Sequence, residues 1–291
     1  MTTETEISAV HVPSTPGMRV RPTLVGLELP EASAPSKPRF SRAGRPVRVD
    51  RQTPTVSAII PALNEAENLP HVFAKLPDDL HEVIVVDGNS TDGTVDVARA
   101  LRPDVVIVEQ TGRGKGDALR AGFKAATGEI IVMLDADGST DASEIPRFVS
   151  ALVNGADFVK GSRFAQGGHS SDITLTRRLG NRGLNFLVNT LYGTSYTDLC
   201  YGYNAFWARC LPYIDVDCDG FEVETLMNVR VAKAGLVIHE VPSFERERVY
   251  GESNLNAVRD GLRVLRTIGV ERVARSQRTR VTAGLHRLGL S

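Results

Sequence analysis

"EIIVMLDADGST", residues 129–140, joins the apolar run Ile130 to Met133 to Leu134, and then to two acids separated only by Ala136. A short continuous apolar run suits a strand buried on both faces, as in a parallel sheet. Asp135 and Asp137 then stand at the carboxyl end of that strand. In extended chain, residues i and i+2 point the same way. Two carboxylates roughly 6 Å apart repel by about 3 kcal/mol at an effective dielectric of about 20. A cation relieves that repulsion. Ligands that are all oxygen suit Mg2+ or Mn2+, which keep positions open for water and substrate phosphates. A solvated turn leading into a helix cap would account for the same letters.

The pattern extends in both directions. "VSAIIPA" from Val56, "EVIVVD" (82–87), "DVVIVEQ" and "ADFVKGSRF" repeat the buried-strand signature. Between them the sequence predicts helices near 68–76, after Thr91 or Asp92, and over 115–126, with Asn68 as an N-cap for the first. Alternating strands and helices mean an α/β fold with a mostly parallel sheet covered on both faces. Such sheets bind ligands beyond the carboxyl ends of their strands. Asn64-Glu65, Asp87-Gly88-Asn89-Ser90 and Asp135-x-Asp137 all fall there. Further on, helices are expected over 176–192, 221–234 and 254–268, and "LVIHEVP" as a strand. The first and last of these helices mix leucines at helical spacing with arginines.

Composition narrows the class. The chain has 291 residues, 42% of them hydrophobic and 24% charged, with a net charge of −1. That balance argues against a general nucleic-acid binder. Three cysteines without a CxxC pair suggest neither a disulfide framework nor a zinc site, so a reducing cytoplasm is expected. No apolar run approaches the ~20 residues needed to span a bilayer, and no signal-type h-region opens the chain. Residues 1–53 are interrupted by proline and end in Arg39, Arg42, Arg45, Arg48 and Arg51, which reads as a disordered basic tail. Residues 54–268 form the expected catalytic domain, and 269–291 a second basic tail.

Two nucleotide motifs fail on detail. "GRGKGD" (112–117) has no Ser or Thr after Lys115, so it is not a P-loop. "PALNEAEN" lacks the glycine fingerprint of a dinucleotide fold.

"IIPALNEAENL", "VIVVDGNSTDGT", "GRGKGDALRAG", "MLDADGST" and "VKGSRF" occur in an order that resembles the family 2 glycosyltransferases. "TDLCYGYNAF", "GFEVETLM" and "HEVPSFERERVYGESNLN" look like the dolichol-phosphate mannose synthase branch, and the resemblance covers about 55–268. It implies a GT-A fold, with a Rossmann-like sheet and C-terminal amphipathic helices. It also implies inverting transfer of a hexose, mannose from GDP-mannose, to a polyprenyl phosphate. By the same resemblance Pro61, Ala62, Asn64, Glu65, Asp87, Lys115 and Asp135 serve the nucleotide-sugar donor. Asp135, Asp137 and Ser139 would hold Mg2+ or Mn2+, and Asp137, Arg163 and Arg248 would act in catalysis. Two positions depart from the branch. Ser139 replaces a common Gln, and Asn254 a common Lys.

A polyprenyl phosphate is already ionised near neutral pH and needs no base to attack, and the QxxRW motif of processive synthases is missing. A hydroxyl acceptor would need a base, with Glu222 or Glu224 as candidates. A soluble acceptor, and a nucleotide-sugar-binding protein without catalysis, are therefore the competing readings. A lipid acceptor implies contact with an anionic membrane surface on its cytoplasmic face.

Overall fold

The computed structural model describes residues 53–251 and 257–274. The expected N-terminal tail up to residue 52, Asn254 and the basic segment from 275 lie outside the described residues. In the first half, β1 (Val56–Ala62), β2 (Glu82–Asp87), β3 (Val106–Glu109) and β4 (Ile130–Met133) alternate with α1 (Leu69–Phe73), α2 (Thr94–Leu101) and α3 (Gly114–Ala125). In the second half come α4 (Ile145–Val153), β5 (Phe158–Ser162), β6 (His169–Ser170), α5 (Leu175–Tyr192), β7 (Asn204–Trp207), α6 (Leu211–Ile214), α7 (Val223–Lys233), β8 (Ile238–Pro242), β9 (Phe244–Glu245) and α8 (Ala257–Val273).

Seven strands form one sheet in the order β3-β2-β1-β4-β7-β5-β8. Every neighbouring pair is parallel except those of β7, which runs antiparallel to both β4 and β5. β7 is absent from the expected strands. Its sequence, "NAFW", is too short to carry a period, and it pairs only because β4 and β5 present open edges to it. The register places Ala62 beside Asp87 and Asp87 beside Glu109, so the exits of the first strands are level. All three polar groups foreseen at strand ends share that edge.

Alternation along β1 sorts the core. Ala58 and Ile60 pack with Leu69 and Val72 of α1, Ala98 of α2 and Phe148 of α4 on one face. Ile59 packs with Leu119 and Phe123 of α3 and with Val223 and Met227 of α7 on the other. Burying a side chain such as Phe148 contributes roughly 2–3 kcal/mol. A smaller cluster, with Val188, Val229, Val264 and Ile268, ties α5 and α8 to α7. α8 runs on to Val273, past the expected boundary at residue 268. Asn68 holds the N-cap position of α1 without capping it, because its side chain turns instead to Glu65 and Tyr250.

Candidate active site

A cavity of about 1170 Å³ opens at the carboxyl edge of the sheet. Pro61, Ala62, Glu65, Lys115, Asp135, Asp137, Ser139, Arg163 and Arg248 line it, so most of the expected site residues meet there. Asn64 and Asp87 do not. Asn64, at φ 56°, accepts the Thr91 N–H at 2.9 Å and so clamps the exit of β2 to that of β1. Asp87 accepts the Ser90 N–H at 3.1 Å, which shapes the Gly88-Asn89 turn that does face the cavity. Asp92 serves the start of α2, accepting the Thr94 N–H at 3.0 Å.

Each aspartate of the pair is held by a cation, and each cation by a buried glutamate. Lys115 Nζ contacts Asp135 Oδ1 and lies 2.7 Å from Glu224 Oε1. Arg248 lies 3.4 Å from Asp137 Oδ2 and 3.0 Å from Glu65 Oε1. Four carboxylates therefore share two cations, leaving two negative charges in excess. Burial pushes the Lys115 ammonium down, but Asp135 and Glu224 together outweigh it and hold its pKa above the usual lysine range. Burial raises the Glu65 carboxyl, against the opposing pull of Asn68 and Arg248.

The glycines of "GRGKGD" serve this arrangement. Gly114 lies at φ +84°, and a Cβ there would come within 2.2 Å of the Asp219 carbonyl oxygen. Gly116 donates its N–H to that same oxygen at 2.9 Å. The segment leading into α7 thus packs directly on the start of α3, which brings Glu224 to Lys115. Gly202 plays a similar part just before β7. A Cβ there would lie 2.8 Å from both Asp135 Oδ2 and Lys115 Nζ.

Two expected roles look different in the structure. Arg163 borders the cavity, but its guanidinium is 5% exposed and already spoken for. It makes a two-pronged bond to Asp198, at 2.7 and 2.9 Å, and its Nη1 is shared between the two oxygens of Glu245, at 3.0 and 3.1 Å. Those carboxylates outweigh burial and raise its pKa further. Ser139 donates both its N–H and its hydroxyl to Asp137 Oδ1, at 3.0 and 2.7 Å, so it orients that carboxylate.

The donor set fits a Mg2+ or Mn2+ ion carried on a substrate. Among the described residues no third His, Cys, Asp or Glu completes a metal cluster. Asp135 and Asp137 supply two oxygen ligands, and the rest would come from diphosphate and water, as hard divalent ions accept.

Residues 57–211 match the family described as Glycosyl transferase family 2. The chain belongs to glycosyl transferase family 2. It is a glycosyltransferase of GT-A fold. It is 35% identical over 209 residues to the glycosyltransferase AglJ of Haloferax volcanii, spanning 71% of this chain and 68% of that one. It is also 35% identical over 213 residues to an undecaprenyl-phosphate mannosyltransferase of Micrococcus luteus, spanning 69% and 87%. A solved structure of glucosyl-3-phosphoglycerate synthase from Mycobacterium tuberculosis, with Mn2+, UDP and glucosyl-3-phosphoglycerate, superposes with a TM-score of 0.59. Its 24% identity, over 75% of this chain and 80% of that one, speaks to the fold alone. Within this family 2 chain, sequence reasoning placed Asp135 and Asp137 at a strand exit, and both line the cavity. It missed the Lys115–Glu224 bridge, because the two residues are distant in sequence and only the glycine contacts bring them together.

Proposed function

We propose that the chain transfers a hexose, mannose from GDP-mannose, to a polyprenyl phosphate with inversion at the anomeric carbon. The observation that carries this reading is the continuity of the cavity. It runs from Asp135 and Asp137 to a slot lined by Ile173, Gly180 and Leu184 on one side and Val258, Gly261 and Val264 on the other. Gly180 and Gly261 lie inside helices, where glycine costs roughly 1 kcal/mol relative to alanine. A Cβ at either would meet nothing within 4 Å, so protein packing does not explain their choice. Gly183 and Gly269 of the same helices are equally open, but only Gly180 and Gly261 line the cavity, where they leave room for an apolar chain. The likeness to an undecaprenyl-phosphate mannosyltransferase supports the same acceptor class.

A Mg2+ or Mn2+ ion on Asp135 and Asp137 would neutralise the departing diphosphate. Arg248, at the rim of the cavity, has a planar fork suited to phosphate oxygens. A phosphate acceptor arrives ionised, and the site fits that need. Glu224 is committed to Lys115, and Glu222 does not line the cavity. Neither is a free base for a hydroxyl acceptor.

No helix among the described residues is long and apolar enough to cross a membrane. Leu175, Leu179 and Phe186 on α5, with Val258, Leu262 and Leu265 on α8, are nonetheless exposed. Exposed Arg178, Arg182, Arg259 and Arg266 stand beside them. That combination suits an anionic membrane surface, where the lipid acceptor would be met.

Incubation with labelled nucleotide sugars, Mn2+ and polyprenyl phosphate tests the reading. Labelled mannosyl lipid in the organic phase is expected. The absence of organic-phase product from every donor would sink it, and transfer to a water-soluble acceptor without lipid would favour the competing activity.

A further inference from the structure

Lys115 and a divalent ion make rival claims on Asp135. We propose that Lys115 is an internal counter-ion that competes with the metal for this carboxylate. Glu224 is then the positioning residue that retains Lys115 once the metal has taken Asp135. The inference rests on the metal reading given above and assigns roles to two residues within it.

The geometry carries the competition. Lys115 Nζ sits against Asp135 Oδ1, with the two side chains 12% and 32% exposed. Water therefore screens the pair only partly, and an ammonium beside a divalent ion in such a place is strongly repelled. The lysine must yield when the ion binds. The direction in which it yields is restricted. Gly202 lies close on one side of both groups, where a Cβ would be 2.8 Å from each. Open space lies toward the cavity, which Lys115 lines.

Glu224 makes the exchange feasible. A buried cation stripped of its partner is costly. Lys115 has three N–H donors and can keep Glu224 Oε1, at 2.7 Å, while trading Asp135 for a phosphate oxygen of the donor. Glu224 is itself 4% exposed at the cavity wall, and Lys115 is the cation that compensates its charge. The partner aspartate is bridged by Arg248, which is 20% exposed and lies 3.4 Å from Asp137, a looser hold that competes less.

The test is Mn2+ binding by the full chain without donor or acceptor, followed by the paramagnetic resonance signal of free Mn2+. Lys115→Met is expected to bind Mn2+ about tenfold more tightly than the natural chain, because a repelling charge has gone. Glu224→Gln is expected to bind about tenfold more weakly, because the displaced lysine loses its second partner. Loss of one positive and one negative charge would by itself give opposite signs, so the double variant decides. The double variant, which removes both charges together and so guards against misfolding of either single one, should bind as tightly as Lys115→Met.

A double variant that falls back to the natural affinity or below would mean that Glu224 acts on the metal directly, as a ligand or through its charge, and would overturn the proposal. So would single variants with unchanged affinity. If the natural chain takes up no Mn2+ at all, the metal reading itself fails, and the inference falls with it.

Discussion

Arg248 Nη1 stands 3.0 Å from Glu65 Oε1, although 183 positions separate the two residues in the chain. The contact closes the segment after β9 onto the exit of β1. Asn68 fastens the same segment twice, donating to the Tyr250 carbonyl at 3.1 Å and accepting the Tyr250 N–H at 2.9 Å. The arginine thus reaches Asp137 from a stapled loop, with its fork divided between two carboxylates.

Arg248→Ala should therefore lower kcat/KM by about 10²-fold, the loss typical of removing one fixed donor from a charge-stabilising site. Arg248→Lys should restore only part of it, because a single ammonium cannot serve Glu65, Asp137 and a phosphate in one plane. Steady-state transfer kinetics with saturating acceptor measure both.

Arg163 leads to the opposite expectation. Its guanidinium is buried between Asp198, which is fully buried, and Glu245. Removing one partner of a buried pair leaves uncompensated charge and costs roughly 3–5 kcal/mol. Arg163→Ala should therefore lose stability first, seen as a fall in the denaturation midpoint. Any loss of activity at low temperature, where the variant is still folded, should be much smaller than that of Arg248→Ala.

The two arginines mark what the sequence could and could not tell. The strands around Ile59, Ile84 and Ile131 were legible because continuous apolar runs have one good home, the middle of a parallel sheet. Asp135 and Asp137 were legible because repulsion between neighbours demands an explanation. Arg163 and Arg248 both follow strands and both line the cavity, yet the first is 5% exposed with its fork taken up by two carboxylates at close range, while the second is 20% exposed. That difference depends on Asp198 and Glu245, 35 and 82 residues away from Arg163. β7 was hidden for a related reason, since its four residues acquire meaning only from the two strands they join.

Lys160 carries a pH signature. It is fully buried and donates to the Tyr201 carbonyl at 2.7 Å and to Asn204 Oδ1 at 3.3 Å. Burial lowers its pKa below the usual lysine value. A group depressed in the folded state contributes stability above its unfolded pKa and loses it as pH falls through the folded one. Lys160→Met keeps the volume and cannot charge. Its stability relative to the natural chain should improve as pH falls from above the usual lysine range through the depressed pKa. Parallel denaturant titrations across that range would show a constant difference if the lysine did not titrate.

Gly180 and Gly261 allow the lipid slot to be tested against the fold that contains it. Each faces open space, so a leucine at either position should be accepted by the helix and even favoured by roughly 0.8 kcal/mol. The melting temperature of Gly180→Leu or Gly261→Leu should hold or rise. The same side chain would stand in the cavity that both glycines line. KM for a long-chain polyprenyl phosphate should then increase by about tenfold, equivalent to ~1.4 kcal/mol, while KM for the nucleotide sugar stays put. A short-chain polyprenyl phosphate, which does not fill the slot, should be used nearly as well as before. Equal losses with both acceptors would mean that the leucine disturbs the aspartate end of the cavity. Unchanged use of both would mean that the chain runs elsewhere, and that the two glycines are open for another reason.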